Sequence, residues 1–210
     1  MRLPDLRNRS VAVWGTGPEG RAAVAAVAQH GPSRLLAVDD SAGYLAVARA
    51  GETAPPAGGD HAFPALVTAD VVVRSAEIPA EHPWLAELHQ RGIAVTTGSA
   101  LWLAEHAPRT IAVTGSDHTA SLISHLLTAM GRPNVLGGSP LLELPAAGEY
   151  VVRLGPEHCA DLTASPRVAV MARSGPLDLL ARHPEMIVVN GVDLPLRDAV
   201  RGRTDANGFP

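Results

Sequence analysis

Three glycines and a trailing acid are the first chemistry this chain offers. Gly15, Gly17 and Gly20 stand in VAVWGTGPEG as G-x-G-x-x-G, and Asp39 and Asp40 close a later apolar run. That spacing suits a strand turning sharply into a helix, with an acid about twenty residues on. Gly15 permits the turn, Gly17 admits a ligand close to the backbone, and Gly20 lets helix and strand pack closely. The groups expected to face a ligand are Gly15, Thr16, Gly17, Pro18, Glu19 and Gly20 on the turn. Asp39, Asp40 and Ser41 follow the second apolar run, and Ser75 follows a third. A helix N-terminus draws anions and a carboxylate holds ribose hydroxyls, so the ligand class is a nucleotide or a related small molecule. A turn kept only as scaffold is the alternative.

A second loop, Gly115-Ser116-Asp117-His118-Thr119, leaves another apolar run at Thr114. His118 and His125 have no third partner at ligand spacing, so no metal is expected. Glu157-His158-Cys159 places a thiol beside an imidazole, but a single cysteine is expected as a small apolar filler. Arg153 and Arg173 stand near strand ends and read either as an anion site or as solvated arginines. Trp14, Trp84 and Trp102 are expected to pack in cores. No catalytic residue is assigned.

The elements that must position these groups alternate. Val11 to Trp14, Leu35 to Val38, Ala69 to Val73 and Ile93 to Val95 are strand-like runs. Helices are expected after the glycines, over Tyr44 to Ala50, after Pro83 and from Ser99 to Glu105. The pattern restarts at Arg109. Thr110 to Val113, Glu149 to Leu154, Arg167 to Met171 and Met186 to Val189 are further strands, with helices after Ser121 and over Leu177 to His183. The tail from Arg201 reads as frayed. Strands alternating with helices imply parallel sheets. The expected fold is α/β, two Rossmann-like three-layer domains with mainly parallel sheets, over 1–107 and 108–210.

Composition bounds the rest. The 210 residues are 46% hydrophobic but only 3% aromatic, so the cores are Leu, Val, Ile and Ala. A net charge of −4, with no basic run among aromatics, argues against nucleic acid as a partner. One cysteine excludes internal disulfides. No apolar stretch has membrane-spanning length, so no membrane partner and a cytoplasmic location are expected. The chain contains no lysine.

Taken in order, these landmarks resemble the Mur ligases. VAVWGTGPEG with Asp39 resembles that family's UDP-sugar-binding first domain. ADVVVRSAEIPAEHPWLAELHQRGIAV resembles its strand, Ser-Pro-Gly loop and helix, with Glu77 where the loop has glycine. IAVTGSDHTASLISHLLTAMG stands where its ATP-binding loop and helix would be, and VLGGSP resembles the following turn. The resemblance implies ATP-dependent amide ligation, but the loop departs from T-G-[TS]-N-G-K-[ST]-[ST]. Without gaps, His118 replaces the second glycine, Thr119 the lysine and Ala120 the following hydroxyl. Arg153 stands at the metal-binding glutamate, and the family's modified-lysine stretch and third domain have no counterpart in these residues. The expectation is a Mur-ligase-like protein that has lost ATP chemistry and binds a UDP-sugar or nucleotide. No resident cofactor is expected. Alternatives are a nicotinamide-dependent oxidoreductase with NAD on the turn, a homodimeric scaffold, and a ligase completed by a partner chain.

Overall fold

Continuous β-branched runs make strands whose two faces are both buried, which requires layers of helix on each side. A computed structural model describes residues 1–39, 62–159, 161–173 and 184–206 and places those runs in two parallel sheets. The chain divides into two compact units. One holds Met1–Glu105 with Pro140–Glu143, the other His106–Ser139 with Leu144–Pro210. Pro140–Glu143, which the sequence places within 108–210, groups with the first unit, and its Leu142 packs against that unit's core.

The first unit contains β1 (Ser10–Trp14), α1 (Pro18–Ala28), β2 (Arg34–Val38), α2 (Ala62–Leu66), β3 (Val71–Arg74), α3 (Pro83–Gln90), β4 (Ala94–Thr97) and α4 (Gly98–His106). Its strand order is β2-β1-β3-β4, with Val13 beside Ala37 on one flank and Val73 on the other. Alternate residues feed separate cores. Ala12, Trp14, Leu36, Val38 and Val72 face one way, and Val11, Val13, Leu35, Val71 and Val73 the other. Each of the valine and leucine side chains among them contributes about 1.5–3 kcal/mol by leaving water. Trp14 is fully buried and stacks on Trp84 at 5.4 Å, while Trp102 is also buried.

The second unit contains β5 (Thr110–Thr114), α5 (Asp117–Ala129), β6 (Val135–Gly137), β7 (Tyr150–Arg153), β8 (Val168–Met171), β9 (Met186–Val189) and α6 (Leu194–Ala206). Its order is β6-β7-β5-β8-β9, all parallel. Ile111, Val113, Val151 and Val170 meet Ala120 and Leu127 of α5. The expected helices over 44–50 and 177–183 lie outside the described residues. The tail expected to fray from Arg201 is instead helical to Ala206, because Leu196 and Val200, one turn apart on α6, are buried.

Candidate functional site

In open α/β sheets, ligands gather where the strand order reverses, beyond the carboxyl ends of the strands. In the first unit that point lies between β1 and β3, at Gly15 and Ser75. Gly15 takes φ +107°, a region open to glycine, and a Cβ there would lie 2.7 Å from Ser75 Cβ. A Cβ on Gly20 would strike the Gly15 carbonyl oxygen, so helix and turn touch backbone to backbone. Gly17 is the N-cap of α1 without a side-chain cap, and Pro18 opens the helix. The Thr16 hydroxyl donates to Asp39 Oδ2, which ties the turn to the end of β2. Asp40 and Ser41 lie outside the described residues.

Two neighbours of the turn change its chemistry. The Glu19 carboxylate accepts the Ala76 N–H at 2.8 Å, bracing α1 against the loop after β3. The Glu77 carboxylate lies over Gly17, and a Cβ on Gly17 would sit 2.6 Å from Glu77 Oε1. Ser75 is 2% exposed and its hydroxyl has no hydrogen-bond partner among the described residues. Sequence reasoning did not single out Arg21. Its guanidinium donates to the Thr16 carbonyl at 2.9 Å, bringing a positive charge to the turn. A basic residue one position past the third glycine was the available signal.

The second unit repeats the geometry at its own reversal point. Gly115, Ser116, Asp117 and His118 line a cavity of about 660 Å³ with Arg153, Glu157, His158 and Arg173. Only Gly115 and Ser116 separate β5 from α5, so His118 and Thr119 belong to the helix's first turn. Ser116 caps α5, its hydroxyl accepting the Thr119 N–H at 3.2 Å. Asp117 and Arg153 pair at 2.9 Å across the cavity. A Cβ on Gly115 would lie 2.9 Å from Arg173 Cβ, so β8's end presses on the loop. The Thr114 hydroxyl, 1% exposed, has no partner among the described residues.

Magnesium with a triphosphate, which the resemblance implies, calls for a phosphate-facing cation on the loop, a hydroxyl on the metal and carboxylates unencumbered by cations. The groups that the resemblance aligns with that set differ from it. Ala120 is buried at the hydroxyl position, Thr119 stands at the lysine position, and Asp117 is already paired with Arg153. Cys159 is buried, 3.4 Å from the Gly155 carbonyl, as a filler would be.

No protein-family model matches the chain. It is 55% identical over 218 residues to the UDP-N-acetylmuramoyl-L-alanine–L-glutamate ligase of a Micromonospora species, covering 92% of this chain and 48% of that protein. The protein of the same name from Salinispora tropica is 52% identical over 223 residues, with 92% and 49% covered. A UDP-N-acetylmuramoylalanine–D-glutamate ligase of Rhizobium meliloti is 33% identical over 206 residues, with 88% and 43% covered. The fold is also that of a murein peptide ligase from Psychrobacter arcticus, with a TM-score of 0.51 at 13% identity over 92% of this chain and 51% of that one. The chain thus spans about half the length of the curated relatives it matches. Identity above 50% along nearly all of its residues, together with two parallel sheets each carrying a glycine turn at its reversal point, leads to one conclusion: the chain belongs to the Mur ligase family.

Proposed function

We propose that this protein binds the uridine end of a UDP-sugar on the β1–α1 turn of its first unit, and that its own second unit does not carry the ATP step. The observation that supports the first half is the intact turn: a positive-φ glycine, an N-cap with no side-chain hydrogen bond, and Thr16 and Asp39 joined beside it. The second half follows from the two-residue loop at Gly115–Ser116, with an acid where phosphate would approach and no lysine in the chain. A negative side chain in the first turn of α5 is favoured by the helix dipole and adds negative charge where a phosphate would approach.

Calorimetric titration tests both halves. UDP-N-acetylmuramoyl-L-alanine is expected to bind at one site per chain, and Mg–ATP to give no saturable heat. Absence of uridine-ligand binding overturns the first half, and saturable ATP binding the second.

A second reading is glutamate addition by this chain together with the remaining half of a ligase. It is favoured by the 55% identity to a protein named for that reaction and by the open cavity at Gly115. Phosphate release from ATP with UDP-N-acetylmuramoyl-L-alanine and glutamate present would support it. The nicotinamide alternative finds less support, because a chain without lysine holds no Tyr-x-x-x-Lys pair for the hydride site, and an NADH fluorescence titration is expected to stay flat.

A further inference from the structure

The large apolar side chains left in water are all on one unit. Leu122, Leu126 and Met130, at the outer side and end of α5, are each more than half exposed. Met186 and Val188 of β9 are exposed as well, and Val192 and Leu194 follow them. Among the described residues the first unit has no exposed side chain of this kind. Nor does α5 carry the charges of a helix made to face water. From His118 to Met130 it has no Asp, Glu, Lys or Arg.

These residues border one groove of about 750 Å³. The register places Ile111, Val168 and Met186 in one row across the sheet, and Val113, Val170 and Val188 in the next. Over β5 and β7 that face is covered by Ala120 and Leu127 of α5. Over β8 and β9 it is the groove's floor, formed by Val168, Val170, Met186 and Val188. Parallel strands in α/β folds are covered on both faces, yet β9 is half-buried on one and open on the other. Thr119 and Ile123 form the groove's wall. Thr119, Ile123, Leu126 and Met130 follow one another at four, three and four residues, so Leu126 and Met130 continue that wall.

We infer that this face of the second unit, from Leu126 to Val188, is a docking surface for an amphipathic helix supplied by the half of a ligase that this chain does not span. A floor of sheet beside a wall of helix takes a second helix, about 8–10 Å from α5 between axes. The wall runs for roughly three turns, so the partner helix presents an apolar stripe of that length, uncharged where it meets α5. The source is argued from length. Relatives 55% and 52% identical to this chain are matched over only 48% and 49% of their residues, so each has about as much polypeptide again with which to cover such a face. The inference deepens the reading in which a remaining half completes a ligase, but it concerns binding and not turnover.

The test co-expresses the full chain, tagged, with the half of the Micromonospora ligase that it does not match, and weighs the captured complex by light scattering. A one-to-one complex is expected. Leu126→Glu and Val188→Glu replace side chains that are exposed in the chain alone. Each is expected to reduce the recovered complex at least about tenfold, because docking would bury an unpaired carboxylate. Leu136→Glu makes the same change on β6, at the opposite edge of the sheet, and is expected to leave recovery unchanged. No complex, a complex indifferent to Leu126→Glu and Val188→Glu, or an equal loss with Leu136→Glu overturns the inference. So does a dimer of the chain alone that the first two substitutions disperse, since the occupant is then a second copy. Phosphate release from ATP is read separately: a complex that forms and releases none ends the ligase reading and leaves the docking surface standing.

Discussion

One added methyl group at Gly20 tests the turn most sharply. Its Cβ would meet the Gly15 carbonyl oxygen and lie 2.7 Å from the Gly15 carbonyl carbon, both backbone atoms that cannot rotate aside. Gly20→Ala is expected to destabilise the first unit by about 2 kcal/mol or more, read as a shifted urea midpoint, and to abolish uridine-ligand binding. This glycine's role was legible from spacing alone. Glu149 was not. It reads as the first residue of a strand, yet it is 7% exposed and accepts from Arg132 at 2.5 Å and also from Arg167. Those partners lie 17 and 18 residues away, a separation that no local pattern reveals. Glu149→Gln is expected to cost the second unit about 1–3 kcal/mol in chemical denaturation, by weakening two charge-assisted bonds at a buried acceptor.

Among elements, those rich in β-branched or alternating apolar residues announced themselves, and the short or polar ones did not. VAVW, VVVR and VAVM are strands because both faces are buried. Three-residue β6 (VLG) and five-residue α2 (AFPAL) fall below the length at which a period can be seen. The polarity of α6 masked two buried residues at helical spacing. The start of α5 shows which local contact matters more. Ser116→Ala removes its N-cap and is expected to cost about 1 kcal/mol. Asp117→Asn breaks a pair whose side chains are 72% and 45% exposed, and is expected to cost less than that. Thermal unfolding of the two variants side by side gives the order.

At the level of the whole molecule, composition pointed to aliphatic cores and the alternation of elements pointed to parallel sheets, and both are seen. The candidate site was legible as far as the glycine turn, Asp39 and Ser75. The placement of Glu77 over Gly17 was not, because it depends on how the β3 loop is braced. Among the described residues no helix is long and apolar enough to cross a membrane. The edge strand β9 leaves Met186 and Val188 exposed, in a chain that spans about half its relatives' length. The account's centre is a division of labour: a first unit that takes a uridine ligand and a second that does not take Mg–ATP. Amide NMR spectra of the isotopically labelled chain, titrated with UDP-N-acetylmuramoyl-L-alanine and then with Mg–ATP, measure it residue by residue. The account predicts saturable shifts at Gly15 to Gly20 and Asp39 with the first ligand, and none at Gly115 to Thr119 with the second. A silent first unit, or saturable shifts at Gly115 to Thr119 on adding Mg–ATP, would contradict it.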